Sequence, residues 1–291
     1  MKFEQVTTGL YLEGLCPDGD NVWVSDPVRG GVKHVRANGS EQLYLADRLW
    51  IGSLTLNGDG LLMVAGEGGF IWLDGATGET GVVLHRIDGK PIPGVNEVAV
   101  DPEGGLYFGT IDIPAIARGE PPGPSTLCRL APDGSVTTLH AGLKFANGLG
   151  VSPDGRHLYC NETFGAVWMF DIRPDGGIEN GRIILDKPDC DGMALDEQGT
   201  VWITGYKSNA LTCLNPDGTM KGEEPLPAGG CTSIRFGGAD RRTLYVNTVP
   251  ADAGDRIAVG DLAFGDESVC YRARADIAGL GGRQARIPIA R

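Results

Sequence analysis

Four side chains that carry carboxylate or carboxamide oxygen, Glu13, Asn96, Asn147 and Asp191, recur at one position of a repeating pattern. Two carboxylates and two amide carbonyls make a hard, all-oxygen donor set, which favours Ca2+; Mg2+, Mn2+ or Zn2+ could occupy the same oxygens, zinc least readily. A divalent cation so held is a Lewis acid for a carbonyl or phosphoryl oxygen. Asp191, as ligand or close neighbour of the ion, is then the candidate general base. Taken singly, each residue has a blander explanation: Asn147-Gly148 and Asp191-Gly192 are ordinary turn dipeptides, and Glu13 suits a solvated strand end. Only a shared register makes them a site, and register requires a repeat.

The repeat is present six times. An alternating strand runs into a turn rich in Asp, Pro and Gly, and a second strand follows with a large marker residue: Trp23, Met63, Tyr107, Tyr159, Trp202 and Tyr245. The markers are 40, 44, 52, 43 and 43 residues apart, the spacing of propeller blades. Each marker is followed by a second hairpin closed by a turn such as Asn38-Gly39 or Asp133-Gly134, so each unit holds four short strands. Asp-Gly and Asn-Gly supply the positive φ that tight hairpins need, which accounts for 46 glycines among 291 residues. The expected fold is all-β, a six-bladed β-propeller with four-stranded antiparallel blades, occupying residues 1–291 as one domain. Residues 3–8 are expected to supply the last strand of the sixth blade. The long third interval reflects residues 111–125, rich in Pro and Gly, expected as a loop at the channel mouth. Superposing the units brings the starts of the inner strands to one end of the channel: Glu13-Gly14, Gly52-Ser53, Asn96-Glu97, Asn147-Gly148, Asp191-Gly192 and Thr232-Ser233. Rotational repetition aims the four oxygen-bearing residues among them at the axis.

Composition narrows the partners. Lys and Arg total 25 against 38 Asp and Glu, a net charge of −13, which argues against nucleic acid. The start of the chain lacks an apolar signal region, and no run of 18 apolar residues occurs, so a cytoplasmic protein with no membrane partner is expected. Seven scattered cysteines without a CxxC pair fit a reducing compartment. Cys16, Cys190 and Cys231 fall near the predicted mouth, where buried filler explains them better than catalysis, since no histidine lies in register to activate a thiol. The four histidines, His34, His85, His140 and His157, miss the ligand positions, which disfavours a histidine general base. No GxSxG elbow is present.

The segments Phe145-Ala146-Asn147-Gly148-Leu149-Gly150-Val151-Ser152-Pro153-Asp154-Gly155 and Asp191-Gly192-Met193-Ala194-Leu195-Asp196 resemble signature strands of the family of regucalcin (senescence marker protein 30), gluconolactonase and luciferin-regenerating enzyme. The resemblance covers nearly the whole chain. It implies a six-bladed propeller, a metal held by a Glu, two Asn and an Asp, and hydrolysis of a lactone; the matching positions are Glu13, Asn96, Asn147 and Asp191. One departure stands out: where the family has Arg-Phe-Asn-Asp-Gly, this chain has Gly94-Val95-Asn96-Glu97-Val98. Without that Arg, a substrate less polar than an aldonolactone is expected. Thr110, Asp112, Asn161, Glu162, Tyr206 and Lys207 follow strands that should reach the same face and are the candidate substrate-binding residues for a small lactone or ester. The alternatives are phosphotriester or fluorophosphate hydrolysis at the same metal, a non-catalytic calcium-binding propeller, and isomerisation or condensation as in strictosidine synthase relatives.

Overall fold

The turns explain the strands. In the computed structural model, which describes residues 1–281 and 283–289, an inter-strand Asp folds back on its own backbone in five of the six units. Asp101 Oδ1 accepts from the Glu103 and Gly105 amides, both at 2.7 Å, and Asp196 Oδ1 from those of Gln198 and Thr200 at 3.0 and 2.9 Å. The glycine that follows, Gly104 or Gly199, sits at φ +92° or +81°, where other residues are disfavoured. Each turn returns the chain as an antiparallel neighbour, and six four-stranded sheets result.

In blades 1 to 5 the chain builds from the inner strand outward. Blade 1 comprises Leu15–Asp18, Asn21–Ser25, Val32–Val35 and Glu41–Tyr44. Blade 2 comprises Ile51–Leu56, Leu62–Gly66, Gly69–Leu73 and Thr80–Leu84, and blade 3 Val95–Val100, Leu106–Thr110, Ser125–Leu130 and Val136–Leu143. Blade 4 holds Ala146–Val151, His157–Glu162, Ala166–Ile172 and Ile178–Asp186, and blade 5 Cys190–Leu195, Val201–Gly205, Ala210–Leu214 and Met220–Pro225. Blade 6 has Gly230–Gly237, Thr243–Val249 and Ser268–Arg274 from the end of the chain, with Phe3–Gly9 as its outermost strand. The ring is thus closed by pairing the two ends of the chain.

Adjacent blades share their cores through the marker residues. Tyr107 of blade 3 packs among Leu149, Leu158 and Phe170 of blade 4, and its hydroxyl donates to Gly176 O at 2.9 Å. Tyr159 repeats the arrangement one blade on, packing with Met193 and Ile203 and donating to Pro216 O at 2.8 Å. Each such buried ring contributes on the order of 2 kcal/mol of apolar burial, while its hydroxyl ties down the next blade's outer turn.

Two features differ from the sequence-based expectation. Residues 111–125 are not all loop: they contain helix α1, Ile113–Ala117, with Pro114 in its first turn and the Asp112 side chain capping Ala115 N at 3.1 Å. Proline is tolerated there because a first-turn N–H has no intrahelical partner. A second excursion, residues 250–267, carries helix α2, Ala253–Ala258, and packs against α1. Both excursions join the second and third strands of their blades. Across the other end of the channel, residues 279–281 and 283–287 line up as a strap. Leu280 N bonds Leu195 O, Arg283 reaches Ser152 O, Arg286 N bonds Gly104 O, and Ile287 N bonds Asn57 Oδ1, so the strap crosses blades 5, 4, 3 and 2 in turn.

Candidate metal and substrate site

The inner strands begin with an irregularity. In blades 2 to 6 the pairing register slips at Ile51/Ser53, Val95/Val98, Ala146/Leu149, Cys190/Met193 and Cys231/Ser233. A bulge bends its strand and re-aims a side chain, and these bulges contain Gly52, Asn96, Asn147, Asp191 and Thr232. Glu13 sits just ahead of the first inner strand, held by Glu13 N donating to Ser25 O at 3.1 Å. The glycine beside a candidate ligand allows neighbouring blades to close. A Cβ on Gly148 would lie 2.3 Å from Asp191 O, and one on Gly192 2.5 Å from Thr232 O.

Glu13, Asn96, Asn147 and Asp191 all line one cavity of about 850 Å3. Asn96 Nδ2 donates to Asn147 Oδ1 at 2.9 Å, Asn147 Nδ2 to Thr163 Oγ1 at 3.1 Å, and Thr163 Oγ1 to Cys190 O at 2.6 Å. Asp191 is 4% exposed and its Oδ1 has no hydrogen-bond partner. Its carboxyl is pushed well above the usual carboxylate range by burial first and then by Glu97, against the lowering effect of the Asn147 amide. Glu13, 6% exposed, is raised likewise by burial, then by Asp191 and Glu97, with Arg235 opposing. A divalent cation fits these residues: it would neutralise two buried, mutually repelling carboxylates and take up the orphaned oxygen. No group of three or more His, Cys, Asp or Glu suited to a metal occurs among the described residues, so any ion here depends on the two carboxamides.

A third carboxylate is handled differently. Glu97, one residue on from Asn96, is buried and forms an ion pair with Arg235 of blade 6 at 2.6 Å. Arg235 also donates to Met193 O and Ile234 O at 2.9 and 2.8 Å. This pair does not line the cavity.

Of the six candidate substrate-binding residues, Tyr206 and Lys207 line the cavity. Thr110, Asp112, Asn161 and Glu162 do not, and each has a polar atom engaged elsewhere, although the buried Asn161 Oδ1 has no partner. Thr110 Oγ1 accepts from Thr126 N, Asp112 caps α1, Asn161 Nδ2 donates to Asp191 O at 2.7 Å, and Glu162 accepts from Lys144 N and Trp168 Nε1. Asn161 thereby positions the Asp191 backbone. The cavity wall is instead largely apolar: Trp50, Phe145 and Phe164 from inter-strand turns, Ile113 and Ile116 from α1, and Ile257 from α2. Tyr11 adds a phenol beside the carboxylates, pushed well above its ordinary range by burial and then by Glu13 and Asp191. Two of these aromatics are in the left-handed region, Trp50 at φ +56° and Phe164 at φ +67°. For a bulky residue that conformation costs about 1–2 kcal/mol. The sequence carried one usable signal for this wall, the 52-residue interval before Tyr159. Blade 6 carried none, because no later marker measures its length.

The cysteines are all free and buried. Burial pushes the Cys16 thiol up to about 12, and it raises Cys190 and Cys231 further, so none is a ready nucleophile. No histidine lines the cavity: His34 stacks on Trp23 at 3.8 Å, His140 packs against Phe170, and His157 pairs with Asp171. Among the described residues no helix is long and apolar enough to cross a membrane.

The chain is 30% identical over 197 residues to the pentonolactonase XacC of Haloferax volcanii, covering 66% of this chain and 65% of that protein. It therefore spans just under two thirds of that relative's length. Similarity to the 6-deoxy-6-sulfogluconolactonase of Pseudomonas putida is 28% over 207 residues, covering 68% of each chain. The regucalcin of Xenopus laevis is 30% identical over 176 residues, 57% of this chain and 58% of its own. Among solved structures, luciferin-regenerating enzyme superposes with a TM-score of 0.82 at 20% identity, covering 98% of this chain and 99% of that one. A calcium-binding protein, regucalcin, from Agrobacterium tumefaciens superposes at 0.78 and 20% identity, covering 99% and 98%. These likenesses are of fold. Residues 13–250 match the model of the SMP-30/gluconolactonase/LRE-like family, the same stretch that carries the bulged inner strands and the four converging oxygens, and the chain belongs to that family.

Proposed function

We propose that the protein is a metal-dependent lactonase, opening an intramolecular ester at one divalent-cation site formed by Glu13, Asn96, Asn147 and Asp191. The observation that carries this reading is the buried Asp191 Oδ1 without a partner, beside Glu13 and two carboxamides at the polar end of a largely apolar cavity. Relatives named as lactonases support the reaction class, and a relative described as calcium-binding supports the choice of Ca2+. When bound, the ion supplies Lewis acidity toward the ester carbonyl.

The chain's own residues would do the rest. Asn96 and Asn147 orient each other through their amides, and Thr163 fixes the second of them. Asp191 accepts a proton from the attacking water and returns it to the ring oxygen as the acyl C–O bond breaks, leaving a hydroxy acid. Asn161 holds the Asp191 backbone while this proton moves. The apolar wall limits competing water.

The test is an Asp191→Ala protein assayed on γ- and δ-lactones with and without added Ca2+. The expected result is loss of at least about 1,000-fold in kcat/KM, roughly 4 kcal/mol of transition-state stabilisation. Full metal affinity together with full hydrolytic rate in that variant would overturn the assignment.

A further inference from the structure

We infer that the cavity is built for a cyclic ester bearing a large apolar substituent, selected by α1, α2 and the aromatics at its mouth, a conclusion that rests on the lactonase reading. The geometry is a polar floor beneath a hydrocarbon wall: the four oxygen donors at one end, and Ile113, Ile116, Ile257, Trp50, Phe145 and Phe164 around the space above them.

Three observations carry it. First, the Arg of the resembling family pattern corresponds to Gly94, and the space a side chain would take there is filled by α1: a Cβ on Gly94 would lie 2.5 Å from Ile113 Cδ1. Hydrocarbon, not a guanidinium, therefore faces the substrate at this point. Second, Phe164 is 50% exposed although it lines the cavity, and its backbone is held at φ +67° by Phe164 N donating to Pro188 O at 2.7 Å. Phe145 and Tyr206 meet it edge-on, with ring centroids 6.0 and 6.4 Å away. An exposed aromatic cluster at a cavity mouth is a surface for apolar contact. Third, several polar groups above the floor are already engaged, leaving chiefly the Tyr11 and Tyr206 hydroxyls. The Thr163 hydroxyl is spent on Cys190 O, the Lys144 ammonium on Phe164 O, and Lys207 on Asp255. The hydroxyls of a sugar lactone would lose water there without finding a full set of partners. An alkyl or aryl substituent would instead bury its surface against the isoleucines and phenylalanines.

The experiment uses the Ca2+-loaded full chain and a ladder of γ-lactones from γ-butyrolactone to γ-decalactone, with glucono-δ-lactone as the polyhydroxylated arm. Binding of the matching γ-alkyl lactams, which resist hydrolysis, is measured in parallel. Each buried methylene should raise kcat/KM about threefold to fourfold until the cavity is filled, and the sugar lactone should fall below the longer ladder members. In Phe164→Ser and Ile116→Ser the ratio of γ-decalactone to γ-butyrolactone kcat/KM should shrink at least fivefold, roughly the loss of one to two methylene contacts. Hydrolysis with a flat ladder, or with glucono-δ-lactone preferred, overturns this inference and leaves the lactonase reading standing. No hydrolysis of any lactone, but chain-length-graded lactam binding, overturns the reaction and supports the ligand class. Flat lactam binding in that case brings down both.

Discussion

Glu97 and Asp191 are both carboxylates buried at the starts of inner strands, and the fold treats them in opposite ways. Glu97 meets Arg235 across the ring at 2.6 Å, and Arg235 also donates to Met193 O and Ile234 O. Asp191 has an oxygen with no partner and faces Glu13, a second buried acid. Burying a charge is tolerated when a counter-charge and hydrogen bonds replace the lost water. The first set meets that condition within the polypeptide. The second does not, and the proposed cation would supply what it lacks.

The comparison can be broken most directly at the paired set. Arg235→Met leaves Glu97 buried without its counter-charge and should cost about 3 kcal/mol in unfolding free energy by urea titration. Adding Glu97→Gln to Arg235→Met should recover at least half of that loss; no recovery would mean that Arg235 acts mainly through its two carbonyl contacts. The open set should respond to metal. Chelation should lower unfolding free energy by about 2.7 kcal/mol relative to protein with Ca2+ at a hundredfold excess over Kd, with an unchanged transition counting against a cation at Asp191. A smaller effect is expected where the blades close. Gly148→Ala places a methyl 2.3 Å from Asp191 O, and it should cost about 1–2 kcal/mol and weaken Ca2+ binding, both read from one calorimetric series. The smallest effect sharpens the contrast: in metal-free protein, Asp191→Asn should leave stability unchanged or raise it by up to about 1 kcal/mol, because it replaces an acid whose charged form burial and Glu97 disfavour. A clear loss of stability in that variant would show Asp191 to be paired after all.

The blades were legible because their signals are local. Asp101 and Asp196 bond amides two and four residues on, so the turn and the strand reversal are written within a few residues. The placement of Glu13, Asn96, Asn147 and Asp191 on one cavity followed from the repeat, since equivalent positions in a ring face the same axis. The wall was harder to read. Thr110, Asn161 and Glu162 lie near the ends of strands as expected, but strand-end position does not tell which face a side chain takes, and the bulges opposite them shift that parity. Trp50 and Phe164 reach the cavity from left-handed turn positions that bulky residues seldom adopt.

What the sequence determined by itself was the periodic part: six units, their turns, and the recurrence of oxygen-bearing residues at one register, all consequences of short-range backbone preference repeated along the chain. What only the tertiary structure decided was which groups meet across that ring. The Glu97–Arg235 pair joins residues 138 positions apart, α1 covers Gly94, and α2 arrives from the far end of the chain to complete an apolar wall. Such meetings depend on the closure and packing of whole blades, and no local pattern encodes the distance between two side chains on different blades.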